Sequence, residues 1–290
     1  MVEEFGFSHP DHLFVNGIVE SAKNRTSMPP MIFSIGSGNC DTEVRIAKQL
    51  IQHGLGEFSI ECLDVNPQML QRGRTNAMKE DVEGHFIFTE GDFNTWSARR
   101  QYAAIIANHS LHHVVNLEGL FEEVKRGIDG SGCFIINDMI GRNGHQRWPE
   151  ALVEVQRFWN ELPREYRYNH QLRRHYETFL DWDCSIEGFE GIRAQDILPL
   201  LVDRFDFKFF LAFANVIDIF IDRSFGPNFS VDREWDRAFI DRVHEFDEQA
   251  ILSRLLKPTH MMAVMTPGPC EQHVYARGLS PQDSIRKSDS

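Results

Sequence analysis

The sequence predicts an α/β protein built on a mostly parallel sheet of about seven strands with helices on both faces. Three observations predict it. Short apolar runs alternate with amphipathic helical patterns through the first half, a glycine turn follows the first run, and two late strand-like runs stand apart from this rhythm. The strand-like runs of the first half are 31–35 (MIFSI), 58–63 (FSIECL), 85–88 (HFIF), 102–107 (YAAIIA) and 133–137 (CFIIN). Each is short, partly β-branched and bounded by polar or glycine-containing sequence. Between them, 41–52 places Val44, Ile46, Ala47, Leu50 and Ile51 on a helical period and stops at Gly54. The stretch 67–78 opens with a helix-starting proline, and 117–128 ends before Gly130. Strand and helix alternating at this spacing mean βαβ units, which require parallel strands.

The later runs are 206–213 (DFKFFLAF) and 260–265 (HMMAVM), with the last strand expected to be antiparallel. Two long segments, near 139–204 and 214–257, interrupt the sheet pattern and are read as helical lid inserts, since connections this long usually cover a site. The charged residues of 162–177 (LPREYRYNHQLRRHYE) read as a solvated helix face. Residues 1–30 are expected to form an N-terminal helical segment, 31–267 the main domain, and 268–290 a polar, disordered tail.

Composition narrows the function. The net charge is −13, and the basic residues are interleaved with acids, which argues against nucleic acid as a partner. No run is long or apolar enough for a membrane span, and the acidic start does not read as a signal peptide. The five cysteines show no paired or metal-ligand spacing and suit a reduced, cytoplasmic protein. A homodimer is left open. The acids Asp181, Asp183, Asp218 and Asp222 form no recognisable metal pattern, and no metal is expected.

Three motifs fall at the ends of three consecutive strands. Gly36-Ser37-Gly38 lets backbone approach a ligand closely and precedes a helix whose free N–H groups face it. Asp64-Val65-Asn66 puts an acid where ribose hydroxyls are held in nucleotide-binding sheets, although Asn66-Pro67 also reads as a helix start. Asp92-Phe93 pairs an acid for an exocyclic amine with a ring for a purine face, or else marks a plain turn. All three converge on one crevice. Asp41, standing where a dinucleotide fingerprint needs its third glycine, would repel a pyrophosphate. A cationic sulfonium ligand without phosphate suits this rim better.

The order GSG, LDVNP, EGDF and ANHSLHHV resembles the class I S-adenosylmethionine-dependent methyltransferases over residues 31–138, with the last two strands similar to that family's terminal pair. The resemblance implies a Rossmann-like fold and S-adenosylmethionine as cofactor. It implies that Gly36 and Gly38 line the methionine and ribose end, that Asp64 holds the ribose, and that Asp92 with Phe93 holds adenine. Asn108 and His109 would flank the methionine part and the reactive methyl. Ser34 stands where the family usually has an acid, and Cys40 where it has a third small residue.

Methyl transfer to a hydroxyl is helped by a base, usually histidine. The candidates are His109, His112 and His113 after the fourth strand and His145 after the fifth, the last in a loop that also holds Arg142, Arg147 and Trp148. The expected function is methyl transfer to a small-molecule acceptor at an O, N or C atom. An NAD(P)-dependent oxidoreductase and a noncatalytic cofactor-binding relative remain as alternatives.

Overall fold

The computed structural model describes residues 7–23 and 28–286; residues 1–6, 24–27 and 287–290, which include the ends of the expected N-terminal segment and tail, lie outside it. Helix α1 (Asp11–Lys23) precedes β1 (Met31–Ile35), α2 (Asp41–Gln52), β2 (Ser59–Asp64), α3 (Pro67–Lys79) and β3 (Phe86–Glu90). Then come β4 (Tyr102–Asn108), α4 (Leu117–Gly127) and β5 (Ile128–Met139). These match the predicted strands and helices closely, although β5 starts five residues earlier than its apolar run. Strand β8 (Asp206–Phe213) and strand β9 (His260–Thr266) complete the predicted set.

The sheet has the order β10-β8-β9-β5-β4-β1-β2-β3, in which β10 (Val274–Tyr275) is an edge strand that composition did not suggest. Strands β1 to β5 pair in parallel, while β9 runs antiparallel to both β5 and β8. Strand β4 is buried from Tyr102 to Ala107, as a central strand covered on both faces must be. One face packs α1, α2 and α3 through Phe14, Ile18, Ala47, Leu50 and Leu70. The other packs α4 and α6 (Ala194–Val202) through Leu120, Phe121, Ile197 and Leu201. The chain turns outward from β1 towards β2 and from β4 towards β5, so the crevice between β1 and β4 opens at their carboxyl ends.

Both long inserts rise from that same edge, because β5 and β8 end there and the antiparallel β9 begins there. They fold together as one lobe. Its core joins Phe158, Trp159 and Tyr166 of the first insert to Phe220, Phe225 and Phe239 of the second. The first insert contributes α5 (Pro149–Glu161) and a small hairpin, β6 (Tyr168–Asn169) with β7 (Arg174–His175). The expected charged helix over 162–177 is thus replaced by a turn and that hairpin. Pro163 ends the helical path, and Asn169 accepts the turn N–H groups of Gln171 and Leu172. The second insert contributes α7 (Val216–Ile221) and α8 (Glu234–Leu252). Buried Asp247 on α8 accepts from the Asn215 and Val216 N–H groups at the start of α7, and burial pushes its carboxyl up to about 6.

Buried Arg147 fastens the lobe across both inserts. Its guanidinium donates to the carbonyls of His145 (2.9 Å) and Asn215 (3.2 Å) and to Asp218 Oδ2 (2.7 Å). The expected disordered tail is corrected through Arg286. Val274 and Tyr275 pair with β8, Leu279 is buried, and α9 (Pro281–Ser284) begins at a Ser280–Asp283 capping box. Arg286 lies over Trp148 and pairs with Glu150. A few apolar anchors and charge pairs offset the ordering entropy that composition alone suggested was too large.

Phe239→Ala removes a ring packed against Phe158, Phe220, Phe229 and Trp235. The expected cost is ~3–5 kcal/mol. Limited proteolysis should then cut within 149–193 or 214–256 before it cuts the sheet, and simultaneous cutting would show that lobe and sheet unfold as one unit.

Candidate active site

The glycine turn takes its shape from backbone needs that few side chains tolerate. Gly36 and Gly38 have φ of +63° and +53°, in the left-handed region. A Cβ on Gly36 would stand 2.7 Å from Ser110 Cβ, so this position also requires the missing side chain. Ser37 N–H donates to the Leu63 carbonyl, and Gly38 N–H donates to Asp64 Oδ2 at 2.8 Å, tying the turn to the end of β2. Cys40 is buried with φ +57°, although the left-handed region costs a side-chain-bearing residue ~1–2 kcal/mol. Gly73 on α3 makes room for it, since a Cβ there would lie 2.7 Å from the Cys40 sulfur.

Beneath the turn, Ser34 Oγ donates to Glu43 Oε1 at 2.6 Å, both groups being buried. The acid absent from β1 is therefore met by one from the first turn of α2. Burial pushes the Glu43 carboxyl up to about 7, against the lowering effect of the Ser34 hydrogen bond.

The ends of β2 and β3 present the next residues. Asp64 uses Oδ1 to accept the Asn66 N–H at 2.8 Å, which fixes the carboxylate while each oxygen keeps a second lone pair. Asn66 caps α3 through Gln68 and Met69 N–H, and Val65 is exposed. Asp92 accepts from the Asn94 backbone and side chain in a turn, and Phe93 comes to 3.6 Å from the Cβ position of Gly36.

At the ends of β4 and β5 the organising group is Asp138, which is fully buried. Its Oδ2 accepts from Ser110 N–H (2.8 Å) and Leu111 N–H (2.7 Å), and its Oδ1 from His112 Nδ1 (2.6 Å) and Met139 N–H (2.7 Å). Burial alone would raise this carboxyl, but the His112 hydrogen bond and charge, with His109 and the Leu111 N–H, hold it below its ordinary value. Burial likewise disfavours the His112 imidazolium, and Asp138 with Glu190 reverses that and raises its pKa.

His109, with φ +51°, stands at the crevice mouth. Its N–H donates to the Asn137 carbonyl, and the Asn137 side-chain amide bridges Asn108 Oδ1 (2.9 Å) and His109 Nε2 (3.2 Å). Although open to solvent, the ring is surrounded by enough protein that desolvation lowers its pKa; Asp138 opposes this and the nearby His112 and His145 add to it. His260 at the start of β9 is buried, stacks on Phe213 and is also held below its usual pKa by burial, with Asp218 opposing.

The four histidines singled out in the sequence meet here. The ring of His112 lies 4.1 Å from that of His113 and 5.2 Å from that of His145, between centroids. Glu190 joins them, 3.1 Å from His145 Nε2, and the His145 hydrogen bond holds its carboxyl down to about 2. Gly36, Ser37, Gly38, Asp64, Asp92, Phe93, Asn108 and His109 likewise lie around the β1–β4 crevice, on strand ends or the loops that follow. Sequence reasoning missed Glu43, Asn137, Glu190 and His260, and gave Asp218 no role. Glu190 sits in a loop of the first insert, and its neighbours come from two other segments, so no local spacing marks it. Glu43 had a signal: it occupies the first turn of the helix behind Ser34.

The crevice fits S-adenosylmethionine by its own features. The Cβ position of Gly38 is open, the Ser110 hydroxyl is buried without a hydrogen-bond partner, and an ionisable acid stands at the end of β2. Residues 32–132 match a family model described as a methyltransferase domain. A geranyl diphosphate methyltransferase solved in complex with SAM is similar in fold. It is 11% identical, with a TM-score of 0.51, and the alignment covers 89% of this chain and 84% of that one. An O-methyltransferase from a trans-AT PKS multienzyme of Brevibacillus brevis, solved with S-adenosyl-L-homocysteine, is 11% identical with a TM-score of 0.46, covering 88% and 72%. No curated protein matches the sequence. The fold is that of the class I methyltransferases. Residues 32–132 thus match a methyltransferase domain, set in a fold shared with the S-adenosylmethionine-dependent methyltransferases.

Glu43 gives this site a pH signature. Unfolded, its carboxyl titrates at 4.5, and folded at about 7. At low pH both states hold the proton and Glu43 leaves stability unchanged. Between those values the unfolded chain has released a proton that the folded chain retains, so stability falls as pH rises. Above pH 7 the loss is roughly 3 kcal/mol. Glu43→Gln, which keeps an acceptor for Ser34, should raise the melting temperature at pH 8 and leave it nearly unchanged at pH 4.5. A variant no more stable than wild type at pH 8 would show that the carboxylate is accommodated without cost.

Proposed function

We propose that this enzyme methylates a small molecule whose acceptor atom carries a proton, with His109 as the base. The observation that carries this reading is the placement of His109. It stands beside the glycine-turn crevice, with its pKa lowered by desolvation, under a lobe made of both inserts. Such a histidine is largely neutral at pH 7 and holds a lone pair ready for a proton.

In this reading Gly36, Ser37, Gly38 and Asn108 border the amino acid end of S-adenosylmethionine, and Asp64 takes the ribose hydroxyls. Asp92 and Phe93 take the adenine, with Val65 and Asn66 beside it. The bound cofactor supplies an activated methyl on a sulfonium that is already a good leaving group. The chain itself aligns the partners and excludes water, contributions worth on the order of 7–11 kcal/mol in well-oriented reactions. Asn137 donates to His109 Nε2, which marks Nε2 as the lone-pair atom. An entering acceptor displaces that amide and delivers its proton to Nε2. His260 and Asp218, near enough to His109 to interact with it electrostatically, are the side chains placed to make polar contacts with the acceptor.

The lobe that both inserts build on the crevice side and the net charge of −13 support a small acceptor over a nucleic acid. No helix among the described residues is long and apolar enough to cross a membrane. The five scattered cysteines, with no paired or metal-ligand spacing, fit a reducing, cytoplasmic setting.

Thermal shift separates this reading from a nicotinamide enzyme. S-adenosylhomocysteine should raise the melting temperature, NAD should not, and Asp64→Ala should weaken the homocysteine compound by about tenfold or more, the loss of charge-assisted hydrogen bonds. Unchanged affinity in Asp64→Ala would move the cofactor elsewhere. His109→Gln should lower kcat by ~10²–10⁴ while leaving S-adenosylhomocysteine affinity nearly unchanged. In the wild type, kcat/KM should rise with pH along a limb whose midpoint lies below 6.5, the ordinary histidine value, because burial lowers this pKa. The variant should lose that limb, and a retained limb would assign the base to another group.

A further inference from the structure

His112, His113 and Glu190 each bring one ligand-type atom to within 4.8 Å of the others, and no other such group occurs among the described residues. The spacing suits a shared ion. His112 Nε2 is 3.8 Å from Glu190 Oε1, His113 Nδ1 is 3.5 Å from Oε2, and His145 Nε2 is 3.1 Å from Oε1. Donors bound ~2.0–2.2 Å from a tetrahedral ion stand roughly 3.3–3.6 Å apart, so small side-chain movements would close the set.

A second observation concerns what lies behind the cluster. His112 gives Nδ1 to Asp138 at 2.6 Å, and three backbone N–H groups hold Asp138 in turn. That chain places the imidazole proton on Nδ1 and leaves the Nε2 lone pair facing Glu190. A carboxylate behind an imidazole, fixing its tautomer and orientation, is the usual support of a metal-bound histidine. His113 differs: its Nδ1 meets the Phe189 carbonyl at 2.7 Å, a hydrogen bond that binding an ion through that nitrogen would replace. Imidazoles beside one carboxylate are a donor set for a borderline transition metal rather than for magnesium or calcium, which favour all-oxygen ligands.

We propose that His112, His113 and Glu190, with His145 as fourth donor, bind one divalent transition-metal ion of the zinc type. This inference is independent of the acceptor and of the role given to His109, and its test does not read activity.

The tag-free full-length chain, stripped with chelator, is titrated with Co²⁺ and then Zn²⁺. One equivalent of Co²⁺ should give the visible absorption of a tetrahedral site, and one equivalent of Zn²⁺ should abolish it. Glu190→Gln and His113→Ala, both at partly exposed side chains, should each weaken binding by about tenfold or more. His170→Ala, in a histidine bonded to Asn228 away from the cluster, should bind as wild type does. Circular dichroism verifies that each variant is folded. As a readout free of substitutions, Zn²⁺ should raise the wild-type melting temperature and Mg²⁺ should not. Absence of a saturable one-equivalent site, an equal response to both ions, or wild-type affinity in both cluster variants would each overturn the proposal and leave a proton-sharing network.

Discussion

The buried carboxylate of Asp138 is the constraint on which the site depends. It ends β5, yet three of its four hydrogen bonds reach the chain leaving β4. An ionised group with no exposure is tolerable only when its lone pairs are filled by donors, and here backbone N–H groups and one imidazole fill them. The consequence is a fixed exit from β4. The backbone turns through the left-handed His109, places Ser110 against Gly36, and aims His112 towards the first insert. One side chain thereby sets the wall of the crevice and the orientation of a histidine cluster.

Compensation between neighbours explains how this chain departs from the usual pattern of the class I methyltransferases it resembles and keeps the pocket. The acid missing at Ser34 is met by Glu43 from α2, at the cost of a raised carboxyl pKa. The bulk added at Cys40 is met by a glycine on α3. Neither exchange is visible at a single position, and each makes sense only as a pair in contact across two elements. The lobe repeats the principle on a larger scale. Arg147 from one insert is satisfied by carbonyls and a carboxylate, two of them from the other insert, so neither insert would bury its polar groups well alone.

The sheet was legible because its periodicity is local. Runs such as Asp206–Phe213 and Asp41–Gln52 carry their own bounds, since strand hydrophobicity and helix stop signals lie within a few residues of each other. The crevice was legible for a related reason: topology alone brings the ends of β1, β2, β3 and β4 together, so residues at strand ends could be gathered without coordinates. Residues 162–177 were misread because their charge pattern suits a helix face, while Pro163 and the Asn169 turn decided otherwise. The tail was misread because its composition conceals the few contacts, at Leu279, Asp283 and Arg286, that fix it.

By itself, then, the sequence determined the parallel sheet, the glycine turn and the acids and histidines that face one edge, because each depends on short-range pattern and on strand order. Only the tertiary structure decided which histidines act together and what they face. Glu190 lies 77 residues beyond His113 and 45 beyond His145. Asp138 acts on a turn more than twenty residues before it, and Arg147 acts on an insert some seventy residues after it. Burial and partners across such distances set the charge of these groups, and burial is a property of the packed chain rather than of any segment within it.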